Sequence, residues 1–439
     1  MTAMTIGIIG ILVLFVLLAL RMQIGFSMAL VGFVGFIILN DFESAFGLIG
    51  AEPFDSGNTY LLSVIPLFIL MGQFATHSNM GKDVYQMAYR WLGFLPGGLA
   101  MATVGACACF AAISGSSLAT VATFGMVALP EMKKFKYSDA LATGCIAAGG
   151  TLGILIPPST VLILYGILTE QSISSLFIAG IVPGLLLSFL FILTIYIMCV
   201  IKPELGSKGP SFTMREKLAS LKETWSILSL FVLVMGGLYT GWFTPTAAAG
   251  VGAFGAFVIM IVKGRLTREN TLLSLKESCK TTAMIFGIVI GATIFQYFMT
   301  ISQLPDFLAN IVIEMTINRH LIMSLIILLF IVMGCFMEGL SIMFLAVPIV
   351  FPIVQGMGYD PIWFGIIITL VMEMSLITPP VGVNVFVLSG VAKDVRMETI
   401  FKGVLPFWLA MLACIILLMI FPQLVLFLPE SMGYTPSGF

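Results

Sequence analysis

The chain has 439 residues, of which 59% are hydrophobic and 9% are charged, with a formal net charge of −1 at pH 7. Soluble proteins carry roughly 25% charged residues, and disordered chains are poor in apolar ones, so these values exclude both several soluble domains and a disordered chain. They also exclude a nucleic-acid partner, which needs a concentrated basic surface, and they predict an all-α polytopic membrane protein with roughly ten to twelve segments of ~20 residues.

Apolar segments follow one another along the whole chain, separated by short polar loops. Several are too long for one membrane span, and glycine or proline interrupts the long ones near their middles. Broken backbone inside a bilayer is tolerated only where it is buried in protein or lines a cavity, so the interruptions are candidate functional sites. The segments lie at 4–20, 24–39, 60–75, 97–129, 140–168, 172–201, 225–241, 245–262, 281–300, 306–336, 340–355, 361–390 and 403–428.

The distribution of lysine and arginine predicts the orientation, because short cytoplasmic loops are enriched in these residues. The stretches 202–224 and 263–280 each contain five basic residues and are predicted to be cytoplasmic. The stretch 40–58 has four acidic residues and no basic one, so we predict an extracytoplasmic loop there. With this orientation, both termini are predicted to lie outside.

Glycine and proline motifs recur in the same order at an interval of 220 to 224 residues. This recurrence predicts two internal repeats, 1–224 and 225–439. The matched positions are Gly32 with Gly252, Gly35 with Gly255, Gly115 with Gly339, Pro157-Pro158 with Pro379-Pro380, and Pro183 with Pro406.

The two repeats are predicted to have opposite orientations in the membrane. Segment 24–39 runs from Arg21 on the cytoplasmic side to the acidic outer loop, whereas its mate 245–262 runs from outside to Lys263. Inverted repeats with broken helices that meet at the bilayer midplane are the architecture of secondary transporters.

The first repeat contains the serine-rich motif AISGSSLATVATFG within an apolar stretch near 97–130. One interpretation is the tip of a re-entrant hairpin at 114–117, where glycine allows the turn and hydroxyl and carbonyl oxygens coordinate a cation such as Na⁺. The alternative is one helix with small residues for close packing. The length of the stretch and the cytoplasmic loops at both ends favour the hairpin. The candidate residues are Ser114, Gly115, Ser116 and Ser117.

Tandem prolines interrupt the segments 140–168 and 361–390, and each pair is predicted to break a helix. A break frees carbonyl groups that suit a cation and a helix N-terminus that suits a carboxylate. An ordinary kink is the alternative, and the matching places of the two breaks count against it. The candidate residues are Gly149, Gly150, Gly153, Pro157, Pro158 and Ser159 in the first break, and Thr378, Pro379, Pro380, Gly382 and Asn384 in the second.

A second hairpin is predicted near 320–355, with its tip at Glu338, Gly339 and Ser341 in the motif FMEGLSIMF. Glu338 and Glu373 are carboxylates at membrane depth, where such residues are costly and are functional candidates. For each, the alternative is a carboxylate that caps a broken helix or pairs with a basic residue.

The motifs AISGSSLATVATFG, AAGGTLGILIPPST and LITPPVGVNVFV together resemble the large, DctM-type membrane subunit of tripartite ATP-independent periplasmic (TRAP) transporters, over nearly the whole chain. The resemblance implies an elevator mechanism, with a scaffold domain and a transport domain interleaved across both repeats. It implies Na⁺-coupled import of a small organic anion, such as a dicarboxylate or a sugar acid, across a bacterial inner membrane. It also implies two partner proteins, a periplasmic substrate-binding protein and a separate small four-helix membrane subunit.

The resemblance further implies at least two Na⁺ sites and no organic cofactor. The second hairpin tip lacks the serine-rich signature of the first, so the match to the family on which its ligands are assigned is weaker there. The implied ligands are Ser114, Ser117, Gly153, Ile156 and Pro158 at the first site, and Gly334, Gly339, Thr378 and Val381 at the second.

Two other functions are compatible with parts of the sequence. The first is an H⁺-coupled organic-anion transporter that works through Glu338 or Glu373 without a binding protein. The second is an intramembrane serine hydrolase with a nucleophile in the ISGSS motif, which needs a base within hydrogen-bond reach. The two histidines, His77 and His320, lie near segment ends, and a hydrolase leaves the repeat unexplained.

Overall fold

The structure is a computed structural model that describes residues 2–314 and 318–436. Over these residues it is helical and contains no strand. The helices up to residue 223 are α1 (Ala3–Ala19), α2 (Ile24–Leu39), α3 (Phe42–Asn58), α4 (Val64–His77), α5 (Met80–Leu92), α6 (Gly98–Ser114), α7 (Ser117–Lys134), α8 (Asp139–Leu155), α9 (Thr160–Leu168), α10 (Ile173–Ile201) and α11 (Met214–Glu223). Short 3-10 helices at Tyr60–Ser63 and Pro203–Leu205 complete this part.

The remaining helices begin at residue 225. They are α12 (Trp225–Tyr239), α13 (Pro245–Val262), α14 (Arg268–Ser302), α15 (Leu304–Glu314), α16 (Arg319–Gly334), α17 (Gly339–Gly356), α18 (Pro361–Ser375), α19 (Val383–Val391), α20 (Met397–Ile420) and α21 (Gln423–Ser431).

By length and composition, six of the described helices are long and apolar enough to cross a membrane, or up to eight if each bent pair is one span. The bent pairs are α8 with α9, at 42°, and α11 with α12, at 59°. The sequence-based number of ten to twelve is higher because five further apolar helices have only 10–17 residues. The prediction of an all-α polytopic membrane protein is confirmed.

Serine caps set the starts of the helices around the hairpin and the first break. The side-chain oxygens of Ser116, Ser138 and Ser159 accept hydrogen bonds from the backbone N–H groups three residues later, at 3.2–3.3 Å. Helix N-termini carry backbone donors without intrahelical partners, and an apolar surrounding leaves no water to satisfy them. These caps therefore make it possible to begin a helix below the membrane surface.

Three helices lie in stretches whose polarity predicts loops. The predicted outer loop 40–58 is mostly α3, and Asp41 caps it by accepting a hydrogen bond from the Ser44 N–H at 2.8 Å. This bond and one from the Ser44 hydroxyl hold the pKa of Asp41 below its ordinary value. The amphipathic helix α5 and the polar helix α11 pack against each other, joined by an ion pair of 3.0 Å between Arg90 and Glu223. Local caps and side-chain pairs thus stabilise helices that hydropathy does not reveal.

Helices from the two halves of the chain pack together in a reciprocal way. Helix α2 packs against α14, α13 packs against α4, and α4 and α14 contact each other. The contact of α2 with α14 is made by backbone, since a Cβ at Gly32 would lie 2.7 Å from the Phe295 nitrogen. A Cβ at Gly291 would lie 2.0 Å from the Gly25 carbonyl oxygen.

The two hairpins and the two broken helices form a second group of helices. The first hairpin is α6 with α7, and the second is α16 with α17; they pack against α8 and α18 respectively. Helix α7 also contacts α19, and α17 contacts α9, so each hairpin contacts both broken helices. In each break, the peptide bond between the two prolines is cis.

Candidate functional site

A cavity of about 160 Å³ lies where the tips of the two hairpins approach each other. One wall is formed by the tips and the broken helices, and the other by α4 and α14. Both halves of the chain therefore contribute to it. The lining residues with the most bearing on function are Gly72, Gln73, Ser114, Gly115, Ser116, Ser117, Thr160, Thr281, Glu338, Gly339 and Glu373.

The first tip turns at Gly115, as the hairpin interpretation predicts. Helix α6 ends at Ser114, Gly115 has a φ of +56°, and α7 begins at Ser117. Glycine tolerates this left-handed conformation without steric cost. A single continuous helix, the alternative for this stretch, is therefore excluded.

The first tip lies directly against the first broken helix. A Cβ at Gly115 would be 2.9 Å from the Pro158 carbonyl oxygen, and a Cβ at Gly153 would be 2.8 Å from the Ser116 carbonyl carbon. On its other side the tip meets α4, where a Cβ at Gly72 would be 2.5 Å from the Ser114 carbonyl oxygen. The structure thus brings together the tip and the break to which the family resemblance assigns the first Na⁺ site.

Hydroxyl and carbonyl oxygens are concentrated at this tip. The Ser114 and Thr120 hydroxyl oxygens are 3.2 Å apart, and the Thr120 hydroxyl donates to the Ser116 carbonyl at 2.8 Å. The Ser117 hydroxyl donates to Oε2 of Glu373 at 3.1 Å. Hard oxygen donors of these kinds are the ligands that alkali and alkaline-earth cations prefer.

Glu373 lies on α18 and is 1% exposed. The ion-pair alternative for this residue is not realised, because none of the described salt bridges includes it. No lysine, arginine or histidine lies among the described residues that line the cavity. A buried carboxylate therefore faces the first hairpin tip with a neutral hydroxyl as its hydrogen-bond donor.

Asn384 belongs by sequence to the second break, but its amide contacts the first half. It is fully buried on α19, and Nδ2 donates to the Ala147 carbonyl of α8 at 3.2 Å. Its Oδ1 atom is buried without a hydrogen-bond partner among the described residues. The Asn384 amide therefore lies on the side of the first hairpin and the first broken helix, because α19 packs against α7 and α8.

Other residues assigned to the first break hold the helices in place. A Cβ at Gly149 would be 2.9 Å from Sγ of Cys107, so this glycine allows the close packing of α8 on α6. The side chains of Ile156 and Pro157 are buried and contact glycines of α10. Ser159 caps α9. A Cβ at Gly150 would be 2.1 Å from Val121 of the hairpin.

Residues of the second tip line two neighbouring cavities. Glu338 and Gly339 line the first cavity, and Glu338 also lines a second one with Ser341, between the start of α2, α14 and the tip. Gly334 lies against α18, where its Cβ would be 2.4 Å from that of Ser375. Glu338 is accessible from the cavities at the N-cap of α17, but its side chain makes no capping hydrogen bond.

The second break is more open than the first. Pro379 and Pro380 are exposed, whereas the first proline pair is buried. The Thr378 hydroxyl donates to the Met374 carbonyl at 2.6 Å and accepts from Nε1 of Trp408 at 3.1 Å. Val381 is half-buried, and Gly382 has a φ of +51° at the start of α19.

Sequence reasoning missed three polar residues of the cavity. Gln73 and Thr281 come from α4 and α14, which face the hairpins, and Thr160 begins α9. The available signal was a lone glutamine within the sequence LFILMGQFAT. Polar residues in such segments usually face the protein interior.

Neither histidine is placed to serve as a base for the serine cluster. Nδ1 of His77 is 2.9 Å from the Gln73 carbonyl and 3.1 Å from the Ser274 hydroxyl. Nδ1 of His320 is 3.0 Å from the Tyr359 hydroxyl. Neither residue lines the cavity, so no histidine lies beside the serine cluster as a base.

Comparisons with known proteins agree with this architecture. Residues 11–424 match the family model of the tripartite ATP-independent periplasmic transporter, DctM component. The chain is 40% identical, over 87% of its length and 88% of the relative, to the C4-dicarboxylate TRAP transporter large permease protein DctM of Pseudomonas aeruginosa. It is 32% identical, over 95% and 97%, to the sialic acid TRAP transporter large permease protein SiaM of Vibrio cholerae. The crystal structure of the Alcanivorax borkumensis YdaH transporter has a similar fold, with a TM-score of 0.60 at 15% identity, over 90% of this chain and 89% of that one.

Proposed function

The chain belongs to the DctM component family of tripartite ATP-independent periplasmic transporters, and we propose that it imports a small organic anion across the bacterial inner membrane by coupling to Na⁺. This proposal rests on the cavity between the two hairpin tips. Both halves of the chain line this cavity, with hydroxyl groups and with glycine residues of the tips. Such a cavity at a repeat interface is where secondary transporters bind substrate and ions.

Na⁺ coupling is supported by the oxygen donors at the first tip. Ser114 and Ser117 supply hydroxyl groups, and the Pro158 carbonyl lies against Gly115. A cation at this place would lie near the carboxyl group of Glu373, which accepts a hydrogen bond from Ser117. The second site, at Gly334, Gly339, Thr378 and Val381, is proposed on the resemblance alone.

An elevator mechanism is supported by the two groups of helices. We propose that α2, α4, α13 and α14 belong to the scaffold domain, and that the hairpins and broken helices move as the transport domain. The two domains meet across the cavity, at Gln73 and Thr281 on the scaffold side. In this proposal the halves 1–224 and 225–439 are inverted repeats, and both termini are periplasmic.

The substrate is proposed to be a carboxylate, either a dicarboxylate or a sugar acid. The named substrates of the two relatives are C4-dicarboxylate and sialic acid, and the C4-dicarboxylate relative is the more similar one. A periplasmic binding protein and a small four-helix membrane subunit are proposed as partners, and lipid surrounds the complex.

Uptake in proteoliposomes tests the proposal. The chain is reconstituted with its proposed small subunit and binding protein, and uptake of succinate and N-acetylneuraminate is followed under imposed Na⁺ or H⁺ gradients. We expect uptake of one of them that requires both a Na⁺ gradient and the binding protein. Uptake driven by H⁺ alone, without the binding protein, would refute this proposal and support the H⁺-coupled alternative.

A further inference from the structure

A groove of about 580 Å³, the α5–α7 groove, lies between the amphipathic helix α5 and the last turns of α7. None of the residues that line it also lines the cavity between the hairpin tips. It is therefore a separate feature, to which neither the transported anion nor Na⁺ has been assigned. The lining residues that bear on its chemistry are Lys82, Tyr85, Tyr89, Met126, Glu131 and Phe212.

The groove holds opposite charges that the protein does not pair. Lys82 and Glu131 are both exposed, and none of the described salt bridges includes either of them. The other charged residue of the groove, Arg90, is joined to Glu223 of α11 at 3.0 Å. A cation and an anion that line one groove without contacting each other are complementary to a ligand with one group of each sign.

Aromatic rings lie beside the carboxylate. The rings of Tyr85 and Tyr89 are stacked with their centroids 6.5 Å apart, and the Tyr89 ring meets that of Phe212 edge-on at 5.5 Å. Burial raises the pKa of both tyrosine hydroxyls, and the nearby negative charge of Glu131 raises it further. Aromatic faces next to a carboxylate are typical of sites that bind an ammonium group.

The Tyr85 hydroxyl is an unused hydrogen-bond donor. Its side chain is 4% exposed, and its oxygen is buried without a partner among the described residues. Buried polar atoms are rarely left in this state unless a water molecule or a ligand completes them. Lys82 lies one turn earlier on the same face of α5, so an anionic group there is attracted by the lysine and reaches the hydroxyl directly or through one water molecule.

The groove lies where α7 changes from apolar to charged. Met126 and Pro130 are exposed on one face of α7, and Glu131 and Lys133 follow them. Helix α5 is amphipathic and carries Trp91. Tryptophan and a change from apolar to charged residues mark the level of the lipid headgroups. A phospholipid is therefore the zwitterionic ligand that is present at this level in large excess.

We propose that the α5–α7 groove binds the headgroup of a zwitterionic phospholipid, phosphatidylethanolamine. Lys82 and the Tyr85 hydroxyl hold the phosphate, Glu131 and the Tyr89 ring hold the ammonium group, and the acyl chains pass along Met126. Since α5 and α7 form opposite sides of the groove, a bound lipid joins the first hairpin to α5 and restrains it. This inference is independent of the proposed substrate and of Na⁺ coupling.

The test is the binding of short-chain phospholipids by the purified full-length chain, measured as the thermal unfolding midpoint against ligand concentration. Dihexanoyl phosphatidylethanolamine is compared with dihexanoyl phosphatidylglycerol, which has the phosphate but no ammonium group, and with glycerophosphoethanolamine, which has no acyl chains. Glu131→Gln and Lys82→Gln each remove one charge, and Tyr85→Phe removes only the hydroxyl. Glu398→Gln, at an exposed position on α20, is the matched control.

We expect phosphatidylethanolamine to stabilise wild type and Glu398→Gln with the same half-saturation, at least ~10-fold below that of either comparison ligand. Glu131→Gln should raise this half-saturation about 3-fold to 10-fold and leave that of phosphatidylglycerol unchanged or lower, because only the ammonium group needs the carboxylate. Lys82→Gln should weaken both lipids by ~3-fold to 10-fold. Tyr85→Phe should weaken both by about 3-fold, while the midpoint without lipid stays unchanged or rises, since an unsatisfied buried hydroxyl is removed.

Three results would overturn the proposal. Equal half-saturation of wild type by the two lipids would show that the ammonium group is not recognised. Binding of glycerophosphoethanolamine as tightly as the lipid would identify a soluble phosphate ester as the ligand. A folded Glu131→Gln that keeps the wild-type preference for phosphatidylethanolamine would place the lipid elsewhere. If Glu131→Gln does not fold, wild-type half-saturation in Lys82→Gln and Tyr85→Phe would overturn the proposal in the same way.

Discussion

Substitution of Gly153 by alanine should misplace the first hairpin tip without unfolding the protein. The added Cβ would lie 2.8 Å from the carbonyl carbon and oxygen of Ser116 and 3.0 Å from the Ser117 nitrogen. Ordinary contacts begin near 3.4 Å, so the tip or α8 must move by about 0.6 Å. The obstructing atoms are backbone, which rotation of a side chain does not relieve.

The energetic and functional costs follow from this displacement. Overpacking of a tightly packed interior typically costs ~1–3 kcal/mol, while replacing a helical glycine by alanine returns about 1 kcal/mol through helix propensity. The net loss of stability should therefore be small. Displacements approaching 1 Å can reduce the function of a positioned site by about 100-fold, so a shift of this size should raise the Na⁺ half-saturation of uptake at least ~10-fold.

The assay is Na⁺-dependent uptake in proteoliposomes, together with thermal unfolding of the purified variant. Gly250→Ala is the matched control, because it lies on α13 and no atom lies within 4 Å of the added Cβ. Gly250→Ala should transport like wild type. Wild-type Na⁺ dependence in Gly153→Ala would refute the reasoning that this glycine positions the tip.

Three further substitutions have defined outcomes. Ser117→Ala removes the donor to Glu373 and should raise the Na⁺ half-saturation of uptake about 10-fold; an unchanged value would argue against a cation site at this tip. Thr378→Val leaves the Trp408 indole N–H without its acceptor and should cost ~1–3 kcal/mol in thermal unfolding, whereas Thr378→Ser should cost less than half of that. Gly32→Ala places a Cβ against the backbone of α14 and should lower stability by ~1–3 kcal/mol. Gly47→Ala is the control, because its added Cβ meets no atom within 4 Å. Equal melting temperatures of the two variants would contradict this packing argument.

The sequence predicts the hairpin and the breaks well because their causes are local. Gly115 allows the turn, and Ser116 caps the next helix. Tandem prolines break a helix wherever they occur, and here they follow the end of α8. These features need no knowledge of the neighbouring helices. The positions of the first tip and the first break in the chain therefore follow from the residues, whereas their contact with each other was implied only by the family resemblance.

The arrangement across the two halves is harder to predict. Asn384 follows the second break in the sequence, yet its amide contacts α8 because α19 crosses to the first hairpin. Gln73 and Thr281 line the cavity only because α4 and α14 face the tips. Contacts of this kind depend on which helices of one half pack against helices of the other. Hydropathy and motif spacing do not predict that packing.

The backbone contact between α2 and α14 has a consequence for biosynthesis. The atoms that meet Gly32 are made about 260 residues later, at Ile294 and Phe295. At ~5–20 residues per second, α2 is exposed to lipid or to the insertion machinery for roughly 13–50 s before its partner exists. Its glycine-rich surface is unprotected by its own side chains during that interval. Chains that stop before α14 should therefore be degraded in the membrane. When the two halves are expressed as separate polypeptides, α2 should be stable only if both halves are made together.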